Sequence, residues 1–96
     1  MTKADIINEI ADKTNYDKQE ISNVVEAFMK SLRNNMSKGE NVYLRGFGSF
    51  VVKRRAEKTG RIISKNTTVI IPAHNVPSFK PAKVFIEKVK KNVPVQ

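Results

Sequence analysis

Six cations, Lys53, Arg54, Arg55, Lys58, Arg61 and Lys65, stand close together midway along the chain, interleaved with Gly60, Ser64, Asn66 and Thr67 and interrupted by one acid, Glu57. The chemistry open to such a run is charge neutralisation, because each phosphate met by Lys or Arg releases a condensed counterion. Residues 1–50 carry seven Lys/Arg and seven Asp/Glu, whereas residues 51–96 carry eleven and two, so the whole net charge of +9 falls in the second half. A cationic half beside a neutral half is the electrostatic footprint of a protein that holds a polyanion. Nucleic acid is the first candidate partner.

Bond-making chemistry finds almost no support. His74 is the one histidine, set between Ala73 and Asn75 with no carboxylate cluster in sequence reach, and a lone histidine is more often structural or solvated than a base or a ligand. Cysteine is absent, which removes disulfides and thiolate metal sites and is compatible with a reducing cytoplasm. No phosphate-binding loop, nucleophile elbow or metal spacing occurs, so neither an enzyme nor a metal or cofactor is implied. Lys3, Asp5, Glu9 and Asp12 interrupt the stretch where a signal peptide needs apolar residues, and the aliphatic run Val69–Ile71 is far too short to span a bilayer. The expectation is a soluble cytoplasmic protein with no membrane partner.

The elements that must carry these cations follow from periodicity. Thr2 followed by Asp5 is a capping signal, and Ile6, Ile7, Ile10 and Ala11 fall on one side of a short helix ending near Asn15. Asp17 with Glu20 resembles a second capping box, after which Ile21, Val24, Val25, Phe28, Leu32 and Met36 recur at helical spacing until Gly39 offers a stop. That stripe, widened by Met29, is broad for a helix with so little chain to cover it. With 96 residues the chain is marginal for a core of its own, so burial against a second copy is expected.

From Asn41 the period becomes two. Val42 and Leu44 alternate with Tyr43 and Arg45, the run Gly46-Phe47-Gly48-Ser49 breaks the pattern, and Phe50, Val51 and Val52 resume it, which reads as a β-hairpin whose two turn glycines allow φ values closed to other residues. Thr68, Val69, Ile70 and Ile71 predict a further strand, closed off by Pro72 and Pro77. Pro81 suits the first turn of a short helix that buries Val84, Phe85 and Val89 while Lys80, Lys83, Lys88, Lys90 and Lys91 stay in water, and Pro94 ends it.

Three separated motifs stand in one order: Arg45-Gly46-Phe47-Gly48-Ser49-Phe50, Arg55-Ala56-Glu57-Lys58-Thr59-Gly60-Arg61, and Val76-Pro77-Ser78-Phe79-Lys80-Pro81. Together they resemble the bacterial histone-like family of HU and integration host factor, over essentially the whole chain. The resemblance implies an α+β fold in a single domain, 1–96: a helical dimerisation part over 1–40, a three-stranded antiparallel sheet over 41–77 with a long β-arm at about 53–68, and a C-terminal helix over 80–92. It implies an intertwined homodimer, with Val25, Phe28, Leu32, Leu44, Phe47, Phe50 and Phe79 in the dimer core, whose two arms reach around duplex DNA in the minor groove. A heterodimer with a paralogue is the alternative to the homodimer.

Phosphate contacts are expected from Lys53, Arg54, Arg55, Lys58, Arg61 and Lys65 on the arm. A second group, Arg45, Gly46, Gly48 and Ser49, offers free backbone N–H groups beside a hydroxyl and a guanidinium; Lys3, Lys80 and Lys83 complete the set. The arm tip departs from the family pattern, with Ile62-Ile63 where an Asn-Pro pair is usual and Lys65-Asn66 where a Thr-Gly turn is usual. Ile63 takes the place of the proline wedge, and wedging between base steps needs apolar bulk more than it needs a ring; the alternative is that Ile62 and Ile63 only pack across the arm hairpin. The function so read is architectural: binding, bending and compacting nucleoid DNA with low sequence selectivity. An RNA-binding accessory or ribosomal-type protein is the alternative, although residues 53–68 hold no aromatic on which a base could stack. A third reading makes the lysine-rich C-terminal helix a membrane-surface anchor.

Overall fold

The structure, a computed structural model, describes residues 1–62 and 67–95. Its order is α1 (Lys3–Thr14), α2 (Lys18–Met36), β1 (Val42–Leu44), β2 (Gly48–Arg55), β3 (Lys58–Ile62), β4 (Thr67–Ile71), β5 (His74–Pro81) and α3 (Lys83–Asn92). Both N-terminal helices begin where local chemistry requires. Thr2 Oγ1 accepts from the Asp5 N–H at 3.2 Å while the Asp5 carboxylate accepts from the Thr2 N–H at 2.9 Å, a complete capping box. Asp17 caps α2 by accepting from the Glu20 N–H at 3.1 Å. Asn15 closes α1 in the left-handed region at φ 59°, which asparagine tolerates. The α2 helix stops at Met36, and Gly39, at φ +88°, turns the chain toward β1.

The strands form two sheets, a three-stranded one in the order β1-β2-β5 and a two-stranded one of β3 with β4, every pair antiparallel. β5 corrects the expectation that Pro77 ends a strand, because Pro77 lies inside it opposite Val52, and Pro81 is its last residue, opposite Gly48. The geometry explains why proline is tolerated. The Val52 N–H donates to the Asn41 side-chain oxygen at 2.9 Å, on the β1 side of β2, so Val52 and Pro77 face each other as a non-hydrogen-bonded pair and the missing proline N–H would have pointed away from the sheet. Pro81 therefore precedes α3 instead of opening it, Ala82 being the N-cap.

Little of the single chain is buried. Among the described residues Ile7 and Ile21 are the buried apolar side chains, one from each of the packed helices α1 and α2. Ile6 (43% exposed) and Val24 (68%) lie off the covered stripe. Val84 and Val89, expected inside, are 72% and 48% exposed, and only Phe85 of that trio is half-covered. Around Phe79 a cluster links three parts of the fold, with ring centroids 4.8 Å from Phe50, 5.3 Å from Phe47 and 6.3 Å from Phe85, and Phe47 stacks on Phe85 at 5.3 Å. Even so, Phe47 is 46% and Phe79 38% exposed. The radius of gyration is 18.9 Å, against about 12 Å for a compact domain of this length.

Candidate nucleic-acid interface

The arm is built from two successive hairpin segments. Lys53, Arg54 and Arg55 continue β2 past the end of β1 and pair only with Val76, Asn75 and His74 of β5. After Ala56 and Glu57 the chain re-enters a ladder as β3, which pairs with β4 from Lys58↔Ile71 to Ile62↔Thr67. The return limb thus runs on to Val76, well beyond Thr68. The Asn41 contact to Val52 sits just before β1 starts, at the edge where the arm begins. It supplies to β2 the acceptor that a longer β1 would have given. Nothing in the sequence pattern marked Asn41, since a side chain standing in for a ladder carbonyl leaves no periodic trace.

Along this arm Lys53, Arg54, Arg55, Lys58 and Arg61 are all exposed. Strand alternation sends Lys53 and Arg55 to one face and Arg54 to the other, so the cations surround the limb. Lys53, Arg54, Arg55 and Lys58 make no ion pair among the described residues. Ile63 and Lys65 lie outside the described residues.

A second cation-bearing group forms at the base of the sheet. The Phe47 N–H donates to the Leu44 carbonyl at 2.9 Å, closing a turn in which Gly46 adopts φ +82°, as the third position of a type II turn requires. Arg45 stands at the second, exposed position. Gly48 is glycine for another reason than the one expected. Its φ is ordinary, but a Cβ there would lie 2.6 Å from both the Lys80 carbonyl oxygen and the Phe79 ring. Tyr43, Arg45, Gly46, Gly48, Ser49 and Lys80 border one shallow concavity, so five residues assigned from sequence do come together. Tyr43 was missed. Pairing places Tyr43, Ser49 and Lys80 in one row across the three strands, on the face opposite Phe50 and Phe79, and Tyr43 is 70% exposed. Its alternation with Val42 and Leu44 was the available signal.

Lys3 stands apart, at the start of α1, where its ammonium pairs with the Glu26 carboxylate of α2. That contact holds the Glu26 carboxyl below its usual range. The capping bonds from Thr2, backbone first, do the same for Asp5. Lys83, at the start of α3, is exposed. Among the described residues no group of His, Asp and Glu could hold a metal ion, and no helix is long and apolar enough to cross a membrane.

Residues 1–90 match the sequence profile of the bacterial DNA-binding protein family. The chain belongs to that family. Relatives within it carry the HU name: the DNA-binding protein HU of Staphylococcus aureus (strain COL) is 40% identical over 90 residues, covering 94% of this chain and all of that protein. HU of Thermus thermophilus is 35% identical over 91 residues, covering 95% of this chain and 94% of the relative. Among solved structures, an Anabaena HU–DNA cocrystal structure superposes with a TM-score of 0.89 at 34% identity, covering 94% of this chain and 98% of that one. HU from Thermotoga maritima gives 0.66 at 27% identity, covering 94% and 100%. The HU-type fold is thus established for this chain, and the RNA-binding alternative has no counterpart among these relatives.

Proposed function

We propose that the protein acts as a homodimer that clamps duplex DNA between two β-arms, bends it through the minor groove and compacts nucleoid DNA in the cytoplasm with little sequence selectivity. The observation that carries this reading is the arm: five exposed cations on a two-stranded limb in which no described residue is buried. A limb of that kind gains little from folding alone and much from lying along phosphates. The turn group, with Arg45, Ser49 and Lys80 in one concavity, supports a second phosphate contact on the body. Dimerisation is supported by what the chain leaves uncovered, with Phe28, Phe47 and Phe79 at 48%, 46% and 38% exposure beside two buried apolar side chains among the described residues, Ile7 and Ile21. Ile63 is assigned the wedge on the family resemblance.

Two arms meeting about 6 to 10 phosphates make affinity fall by a thousandfold or more between low and moderate salt. The decisive experiment titrates fluorescently labelled linear, nicked and four-way-junction DNA against double-stranded RNA over a salt series, with sedimentation of the same protein. A steep salt slope on DNA, RNA binding much weaker, and a dimer whose melting temperature rises with protein concentration are expected. A monomer with a concentration-independent melting temperature would overturn the clamp.

A further inference from the structure

The two strands of the outer arm differ in kind. β3 carries Lys58 and Arg61, whereas β4, Thr67-Thr68-Val69-Ile70-Ile71, holds no charge. The aliphatic residues of β4 are not equivalent. A Cβ on Gly60 would lie 3.4 Å from Ile71 Cδ1 and 3.6 Å from Val69 Cγ2, so Val69 and Ile71 fill the space that Gly60 leaves on one face of the hairpin. Ile70 points to the other face, opposite Thr59 and next to the Arg61–Thr68 pair. It is 68% exposed there, against 38% for Val69. On that face an aliphatic side chain of a thin basic limb stands largely in water.

Duplex DNA offers such a limb a charged rim and a far less charged groove interior. Cations on β2 and β3 match the rim, and the uncharged strand matches the floor and sugar walls. The floor is not uniform, because guanine adds an N2 amino donor to the minor groove and an A·T pair presents acceptors alone. An aliphatic side chain pressed on that amino group strips it of water and offers no acceptor, which costs free energy.

We infer that Ile70 is a discriminating contact of the arm, disfavouring the guanine N2 amino group and biasing this protein toward A·T-rich DNA. The inference rests on the minor-groove reading above. The bias is at least about thirtyfold in affinity, the low end of the effect of leaving one donor unpaired in each of two arms, and below the factors of about a thousand or more that separate specific from non-specific sites. It is therefore compatible with a protein that coats DNA broadly.

The test uses three duplexes of equal length, A·T-rich, G·C-rich, and the G·C-rich sequence with inosine for guanine. Inosine deletes the N2 amino group and leaves the major groove unchanged. Wild-type protein binds the A·T and inosine duplexes about equally and the guanine duplex more weakly, by about thirtyfold or more. Ile70→Thr, whose hydroxyl accepts a bond from the amino group, brings the three together, while Ile70→Val retains the bias; circular dichroism and melting of both variants show that they are folded. If the inosine duplex behaves like the guanine duplex, the N2 amino group is not what the arm reads and the inference fails. Equal binding to all three by wild type, or a bias that survives Ile70→Thr, overturns it and leaves the DNA clamp standing. Failure to bind any duplex overturns both.

Discussion

The turn-and-phenylalanine region of the body and the basic arm are made from adjoining stretches of the same strands, yet opposite physics holds them. In the body, Gly48 has no room for a methyl group, and Phe47, Phe50, Phe79 and Phe85 are set by contact with one another. In the arm, the cations of Lys53 to Arg61 are exposed, and Val69 and Ile71 close over Gly60. Close packing makes each body position sensitive to a single methylene. An arm held by backbone ladders and completed by its ligand tolerates side-chain change in the free protein and registers it only when bound. Stability and affinity should therefore separate by region, and mutations can break or sharpen that division.

The largest expected effect is on the body. Phe79→Ala empties the centre of the cluster and should cost about 3 kcal/mol or more in unfolding free energy, by lost transfer energy plus the cavity left behind. Chemical denaturation checks it, and a loss under about 1 kcal/mol would mean that the cluster is not a working core. Gly48→Ala comes next, at about 1–3 kcal/mol, since its Cβ meets a backbone carbonyl and a ring that are both held in place.

Arg55→Ala is the converse. Its effect on unfolding should stay within about 0.5 kcal/mol, because the side chain is exposed at an arm position paired only with His74. Binding should weaken alike on unrelated sequences, and the slope of log affinity against log salt should flatten by about 2 for a dimer that loses one phosphate contact per arm. A changed preference among sequences at constant overall affinity would show that Arg55 reads bases, and would move sequence reading from the uncharged strand to the cations.

The same division explains what could be read in advance. The cations were legible because net charge needs no register, and the helix starts at Thr2 and Asp17 were legible because capping is written in residues three apart. β5 was hidden by Pro77, which reads as a stop unless it is known that the strand lies at a sheet edge with that position turned outward. Gly48 was recognised as a special residue but for its dihedral freedom, since the ring of Phe79 that crowds it arrives from 31 residues along the chain. Val84 and Val89 show the remaining limit. An amphipathic period identifies a face to be covered without saying which chain covers it, and in the single chain both stay exposed.

The smallest expected effect is a response to acid, and it too should fall on the body. Asp5 and Glu26 both have carboxyls held below their ordinary values of 3.8 and 4.5, Asp5 by the bonds from Thr2 and Glu26 by Lys3. A carboxyl lowered on folding stabilises the native state fully above its ordinary value and loses that contribution as pH falls through the folded value. Stability should therefore decline modestly from about pH 4.5 downward as α1 loses its cap and its tie to α2, and both groups are exposed, so the decline is shallow. Residues 51–79 contain a single carboxylate, Glu57, which leaves the arm ladder little to titrate. Amide exchange at pH 5 and pH 3 should show faster exchange in the first turn of α1, with the β3–β4 ladder unchanged after correction for intrinsic rates. In Asp5→Asn with Glu26→Gln, the difference between the two pH values at α1 should largely vanish. Faster exchange confined to the arm at low pH would reverse the assignment and make the arm, not the N-terminal corner, the acid-sensitive part of the molecule.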